Sequence, residues 1–151
     1  MLFARFRHGD EVAYGVVEGE RVTPVEGDIF GEHRPAGESL PLSQVTLLAP
    51  VIPGKILAAA VNYPSHVTSA RAVLDRDEAP SIPQLFLKPS SSVVGPGDTI
   101  VLPEGARRVD AEGEMVAVIG RRCRKVRAEE ALAYVCGYTC GTDVSGCMAP
   151  P

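Results

Sequence analysis

The chain has 151 residues, 45% of them hydrophobic, and a net charge of −4. That length makes one ordinary domain, or one small domain and part of another, and the apolar content suffices for a core rather than a disordered chain. An acidic chain with no Lys/Arg stripe is not a nucleic-acid surface. No apolar run reaches the roughly 20 residues that cross a bilayer, and no signal-peptide block opens the chain, so a cytoplasmic protein is expected.

The first 50 residues read as a small β-rich domain. "LFARF", "EVAYGVV" and "RVTPV" alternate like strands, with "EGE" as a turn and "EHRPAGESLPLS" as a loop. A boundary is expected between Pro50 and Gly54, with a second domain over 54–151.

That second part opens on "KILAAAVNY", a buried strand that delivers its polar end to a site. "PSHVTSARAVLDRD" carries helix signals, with Pro64 and Ser65 at its start and apolar positions beyond. "PQLFLKP" reads as a short strand, and "VVGPGDTIVLP" as a turn followed by another. "RAEEALAYV" reads as a short helix and "GYTCGTDVS" as a last strand. The pattern is α+β and mainly β, without the βαβ alternation of a dinucleotide fold.

"RVDAEGEMVAVIG", residues 108–120, raises the chemical question. On a strand Asp110, Glu112 and Glu114 share one face, and from Met115 onward both faces are apolar, as in a strand covered on both sides. Two carboxylates so close repel each other, and a divalent cation keeps both ionised near a core. Oxygen donors favour Mg²⁺, Mn²⁺ or Ca²⁺ over zinc. Asp143, in "GTDVS", is the candidate third ligand. A solvated strand end is the alternative for the two glutamates.

His66 falls in the first turn of the expected helix, where the helix N-terminus disfavours imidazolium and keeps a neutral ring available as general base. A packed structural histidine is the alternative. Ser69 shares its face, while His8 and His33 sit in charged, loop-like surroundings and are expected to be solvated. Tyr63 and Lys88 each end an apolar run, where they are either ligand contacts or snorkelling side chains. The four cysteines match neither a zinc pair nor a disulfide framework, and Cys136 and Cys140 read as buried thiols.

Together "KILAAAVNYPSH", "FLKPSSSVVGPGDTIVLP", "VDAEGEMVAVIG" and "YVCGYTCGTDVS" resemble the fumarylacetoacetate hydrolase family in order and spacing, from about Lys55 to Ser145. The resemblance implies a mixed β-sandwich roll preceded by a small β-rich domain, and a homodimer. It implies an enzyme acting on carbon–carbon bonds beside the carbonyls of α-keto acids: acylpyruvate or fumarylacetoacetate-like hydrolysis, oxaloacetate decarboxylation, or isomerisation of 2-hydroxyhepta-2,4-diene-1,7-dioate type. Glu112, Glu114 and Asp143 match the family's carboxylates for Mg²⁺ or Mn²⁺, His66 its catalytic histidine, and Lys88 lies in a motif near its site.

Three departures accompany the resemblance. Ser69 stands where the family commonly has a glutamate assisting the histidine. Gly146, Cys147 and Met148 replace its Ala-Arg-Asp. The likeness stops after Ser145, where members run on for roughly another hundred residues. A remnant that binds metal without catalysis is therefore the second expectation. An incomplete roll would leave an apolar edge prone to association.

Overall fold

The structure, a computed structural model, describes residues 1–60, 62–65, 67 and 81–148. Its regular elements are almost all strands: β1 (Leu2–His8), β2 (Glu11–Glu18), β3 (Arg21–Gly27), β4 (His33–Pro35), β5 (Leu40–Pro41), β6 (Thr46–Leu47), β7 (Ile56–Ala60), β8 (Gln84–Lys88), β9 (Ala106–Ile119) and β10 (Val135–Met148). The chain divides into two compact units, one of residues 1–50 with 95–151, the other of residues 51–94.

In the first unit, β4-β3-β2-β1-β6 form an antiparallel sheet to which β5 adds beside β3. Local sequence dictates its two tight hairpins. His8 pairs with Glu11 and Glu18 with Arg21, so each loop has two residues and opens on a glycine. Gly9 and Gly19 both take φ 58°, the conformation that the first position of such a loop demands and that a Cβ penalises. Phe6 and Val22 are the buried side chains of this sheet, at 1% and 0% exposure. They close over Gly15, where a Cβ would sit 2.6 Å from Val22 Cγ2 and 2.9 Å from Phe6 Cε1.

β9 and β10 are two 14-residue strands paired antiparallel along nearly their whole length. A 3-10 helix, Ala128–Tyr134, leads into β10 where the sequence suggests a short helix. Arg121 lies over the Tyr134 ring, 5.1 Å from its centroid, and its guanidinium donates to the Ala133 carbonyl oxygen. Phe30, in the turn between β3 and β4, lines a cavity of about 240 Å³ with Arg121, Tyr134 and Cys136.

In the second unit, β7 and β8 pair from Ile56–Lys88 to Ala60–Gln84, the two strands expected there, but β7 is not the buried strand expected, for Leu57 is 60% exposed. The expected helix falls almost wholly outside the described residues.

Several expectations are corrected. The stretch 32–43 is not all loop, because β4 and β5 both find pairing partners on β3. No strand forms over "TIVLP", which finds no ladder to join, and Ile100, Val101 and Leu102 stand 47%, 84% and 57% exposed. β9 is not covered on both sides: among the described residues it pairs with β10 alone, leaving Met115 70% and Ile119 56% exposed. Cys136 and Cys140 are exposed rather than buried, since they ride on the same uncovered ribbon. His33 is half-buried, with its ring edge-on to Phe3 at 5.1 Å and Nδ1 3.2 Å from the Gly31 carbonyl oxygen.

Candidate metal and substrate site

The β9–β10 register assembles the carboxylates. Glu112 pairs directly with Asp143, and Glu114 with Gly141. Side chains of paired residues share a face, and positions two apart on one strand share it too. Glu112, Glu114 and Asp143 therefore stand on one face of the ribbon, all three half-buried. Directly opposed residues place their Cβ atoms about 4.5–5.5 Å apart, and like charges there are destabilising. A sheet optimised for stability alone would not put Asp143 across from Glu112.

Gly141 leaves the place opposite Glu114 without a side chain. A Cβ there would come within 2.8 Å of Val116 Cγ2. As the side chains are oriented, no group of three or more His, Cys, Asp or Glu among the described residues closes into a metal cluster. The donor set nevertheless fits a hard divalent cation by its chemistry: three carboxylates at adjoining positions of one face, with rotatable side chains and no thiol or amine among them.

The same face extends toward the open end of the ribbon. Asp110 pairs with Ser145 and Arg108 with Cys147, and Arg108 Nε donates to Asp110 Oδ1 at 2.8 Å.

The other expected residues lie in the second unit. Tyr63 is 40% exposed, and its carbonyl oxygen accepts from the Val67 amide at 3.1 Å. Lys88 ends β8 opposite Ile56 and is half-buried. His66 and Ser69 lie outside the described residues.

Residues 55–149 match the family described as fumarylacetoacetate hydrolase, C-terminal. The chain belongs to the fumarylacetoacetate hydrolase family. Residues 1–50 match a second family, described as Rv2993c-like, N-terminal. The mitochondrial oxaloacetate tautomerase Fahd2a of Rattus norvegicus is 42% identical over 107 residues, covering 70% of this chain and 33% of that protein. Among solved structures, 5-carboxymethyl-2-hydroxymuconate delta-isomerase from Mycobacterium smegmatis superposes with TM-score 0.83 at 38% identity, over 96% of this chain and 55% of its own. Maleylpyruvate hydrolase from Sphingobium sp. SYK-6, solved with manganese(II) and pyruvate, gives TM-score 0.70 at 29% identity, over 97% of this chain and 59% of its own.

This member of the fumarylacetoacetate hydrolase family thus spans from a third to somewhat over half the length of those relatives. They are enzymes: a tautomerase, an isomerase and a hydrolase. Among the described residues, no helix is long and apolar enough to cross a membrane.

Proposed function

We propose that this chain carries the carboxylate set of a divalent-metal-dependent enzyme of α-keto acids, one that hydrolyses, decarboxylates or isomerises beside a carbonyl. The observation that carries the proposal is the pairing of Glu112 with Asp143, two like charges at one cross-strand position with Glu114 on the same face. That arrangement costs stability in the absence of a cation, and a bound Mg²⁺ or Mn²⁺ offsets the repulsion. The manganese in the Sphingobium hydrolase supports the choice of a divalent ion.

In this proposal Glu112, Glu114 and Asp143 hold the ion. Bound there, it supplies Lewis-acid polarisation of the keto oxygen of a substrate. His66 removes a proton from water, which adds to the distal carbonyl in the hydrolytic case. Tyr63 and Lys88 contact substrate oxygens. The division into domains at 1–50 and 54–151, a homodimeric state and a cytoplasmic location belong to the same proposal.

A second reading is a remnant that binds metal without turnover, favoured by Ser69 and Cys147 at positions where the resemblance implies a glutamate and an arginine. One pair of measurements separates the two. Mn²⁺ should raise the melting temperature of the chain, reversibly with EDTA, under either reading. Turnover of acylpyruvate or oxaloacetate, lost in His66→Ala, supports the enzyme. Metal binding with no turnover supports the remnant, and no metal binding removes both.

A further inference from the structure

The loop between β9 and the 3-10 helix, "GRRCRKVR" at 120–127, carries five positive charges in a chain of net charge −4. Its ends are fixed and their cations are taken. The Gly120 amide donates to the Tyr134 carbonyl oxygen at 2.9 Å, and Arg121 lies over the Tyr134 ring. Arg127 pairs with Glu129 at 3.0 Å and with Glu130 at 2.6 Å. Arg122, Arg124 and Lys125 between them are exposed, and among the described residues they find no ion pair or hydrogen bond. Lys125 also takes φ 54°, a left-handed conformation that a side chain penalises and that glycine adopts freely. Neither the crowded charge nor the strained backbone stabilises the fold.

The flanks of the loop decide what it fits. Ile119 and Leu132, on its two sides, are 56% and 73% exposed. Unpartnered cations beside exposed aliphatic side chains suit a layer of negative headgroups over an apolar interior. Such a layer spreads its charge over an area, so the three side chains need not converge on one point. No aromatic residue within 120–127 offers a base a stacking platform, and Arg121 covers the Tyr134 ring, which sets single-stranded nucleic acid aside. The carboxylate face does not cancel the attraction. Glu114 lies five residues back along β9 from Ile119, about 16 Å at 3.3 Å per residue, or about two Debye lengths at physiological salt.

We infer that the 120–127 loop docks the protein onto an anionic lipid surface, with Arg122, Arg124 and Lys125 facing the headgroup phosphates and Leu132 reaching the layer beneath. The test is flotation of the full chain with vesicles of phosphatidylcholine alone and of an equal mixture with phosphatidylserine. Wild type is expected to float with the mixed vesicles at low salt, to ignore the neutral ones, and to be released by molar salt. Each cation is worth about fivefold in partitioning onto such a surface, so the triple variant Arg122→Gln, Arg124→Gln, Lys125→Gln should bind about a hundredfold more weakly. Its melting temperature should match that of wild type. The charge-retaining variant Arg122→Lys, Arg124→Lys, Lys125→Arg should float as wild type does, and Leu132→Ser should float less. Equal flotation of wild type and the glutamine variant, equal flotation with both kinds of vesicle, or no flotation with either overturns the assignment. Loss of flotation in the charge-retaining variant, or unchanged flotation of Leu132→Ser, also overturns it. So does tighter binding to polyuridylate than to the mixed vesicles, which would make the loop a nucleic-acid surface.

Discussion

Glu112 and Asp143 face each other across the β9–β10 ladder, two carboxylates at a single cross-strand position. The pairing has opposite consequences with and without a cation. Glu112→Gln removes the like-charge contact, so the metal-free chain should gain about 0.2–1 kcal/mol in urea unfolding. The same substitution removes a ligand, so the stabilisation by Mn²⁺ should disappear. For wild type that stabilisation is about 2.7 kcal/mol at a hundredfold excess over Kd. A variant that lost stability in both conditions would mean that Glu112 is a structural residue.

The N-terminal sheet has little room for error at its centre. Gly15→Ala places a methyl group 2.6 Å from Val22 Cγ2 and 2.7 Å from the Thr23 carbonyl oxygen. Overpacking of that kind costs about 1–3 kcal/mol, and Phe6→Ala at the same contact about 3–5 kcal/mol through the cavity it leaves. Both are read from urea midpoints. Unchanged midpoints would show that the sheet relaxes around position 15.

The Arg34–Glu26 pair should behave in the opposite way. Its N–O distance is 2.7 Å, but the side chains are 78% and 64% exposed. Water and salt screen such a pair, so Glu26→Gln should cost less than about 1 kcal/mol and should lose even that in molar salt. A larger loss would reveal a role beyond the ion pair.

The ribbon's other face should drive association. Met115, Ile119 and Tyr138 are 70%, 56% and 58% exposed, and they alternate with the carboxylates onto the opposite side. A long two-stranded ribbon with an apolar face and open edges is a site for self-pairing. Sedimentation velocity should show concentration-dependent association that the double variant Met115→Lys, Tyr138→Lys weakens. A chain that stays monomeric and melts sharply and reversibly would refute this.

Much of the fold was legible because it is local. Gly9 and Gly19 mark hairpin loops that their own backbone requirements fix. The strand "PQLFLKP" shows as a short apolar run bounded by prolines. What failed was ladder membership at one segment and burial at several residues, both of which depend on neighbours. "TIVLP" has strand composition but no ladder, and Met115, Cys136 and Cys140 have core composition but no cover. Burial belongs to what packs against a residue, not to the residue.

The sequence by itself determined which side chains are available: acidic residues at alternate positions of one strand, an aspartate in another, and the motif set that marks the family. Only tertiary structure decided that Asp143 stands opposite Glu112. Their register is shifted by the irregularity between Val135 and Gly137, where Cys136 is the extra residue. Side chains alternate with a period of two, so a slip of one residue would turn Asp143 to the far face and scatter the three carboxylates. Pairing across about thirty residues of intervening chain is a property of the ladder's hydrogen bonds, and no local pattern encodes it.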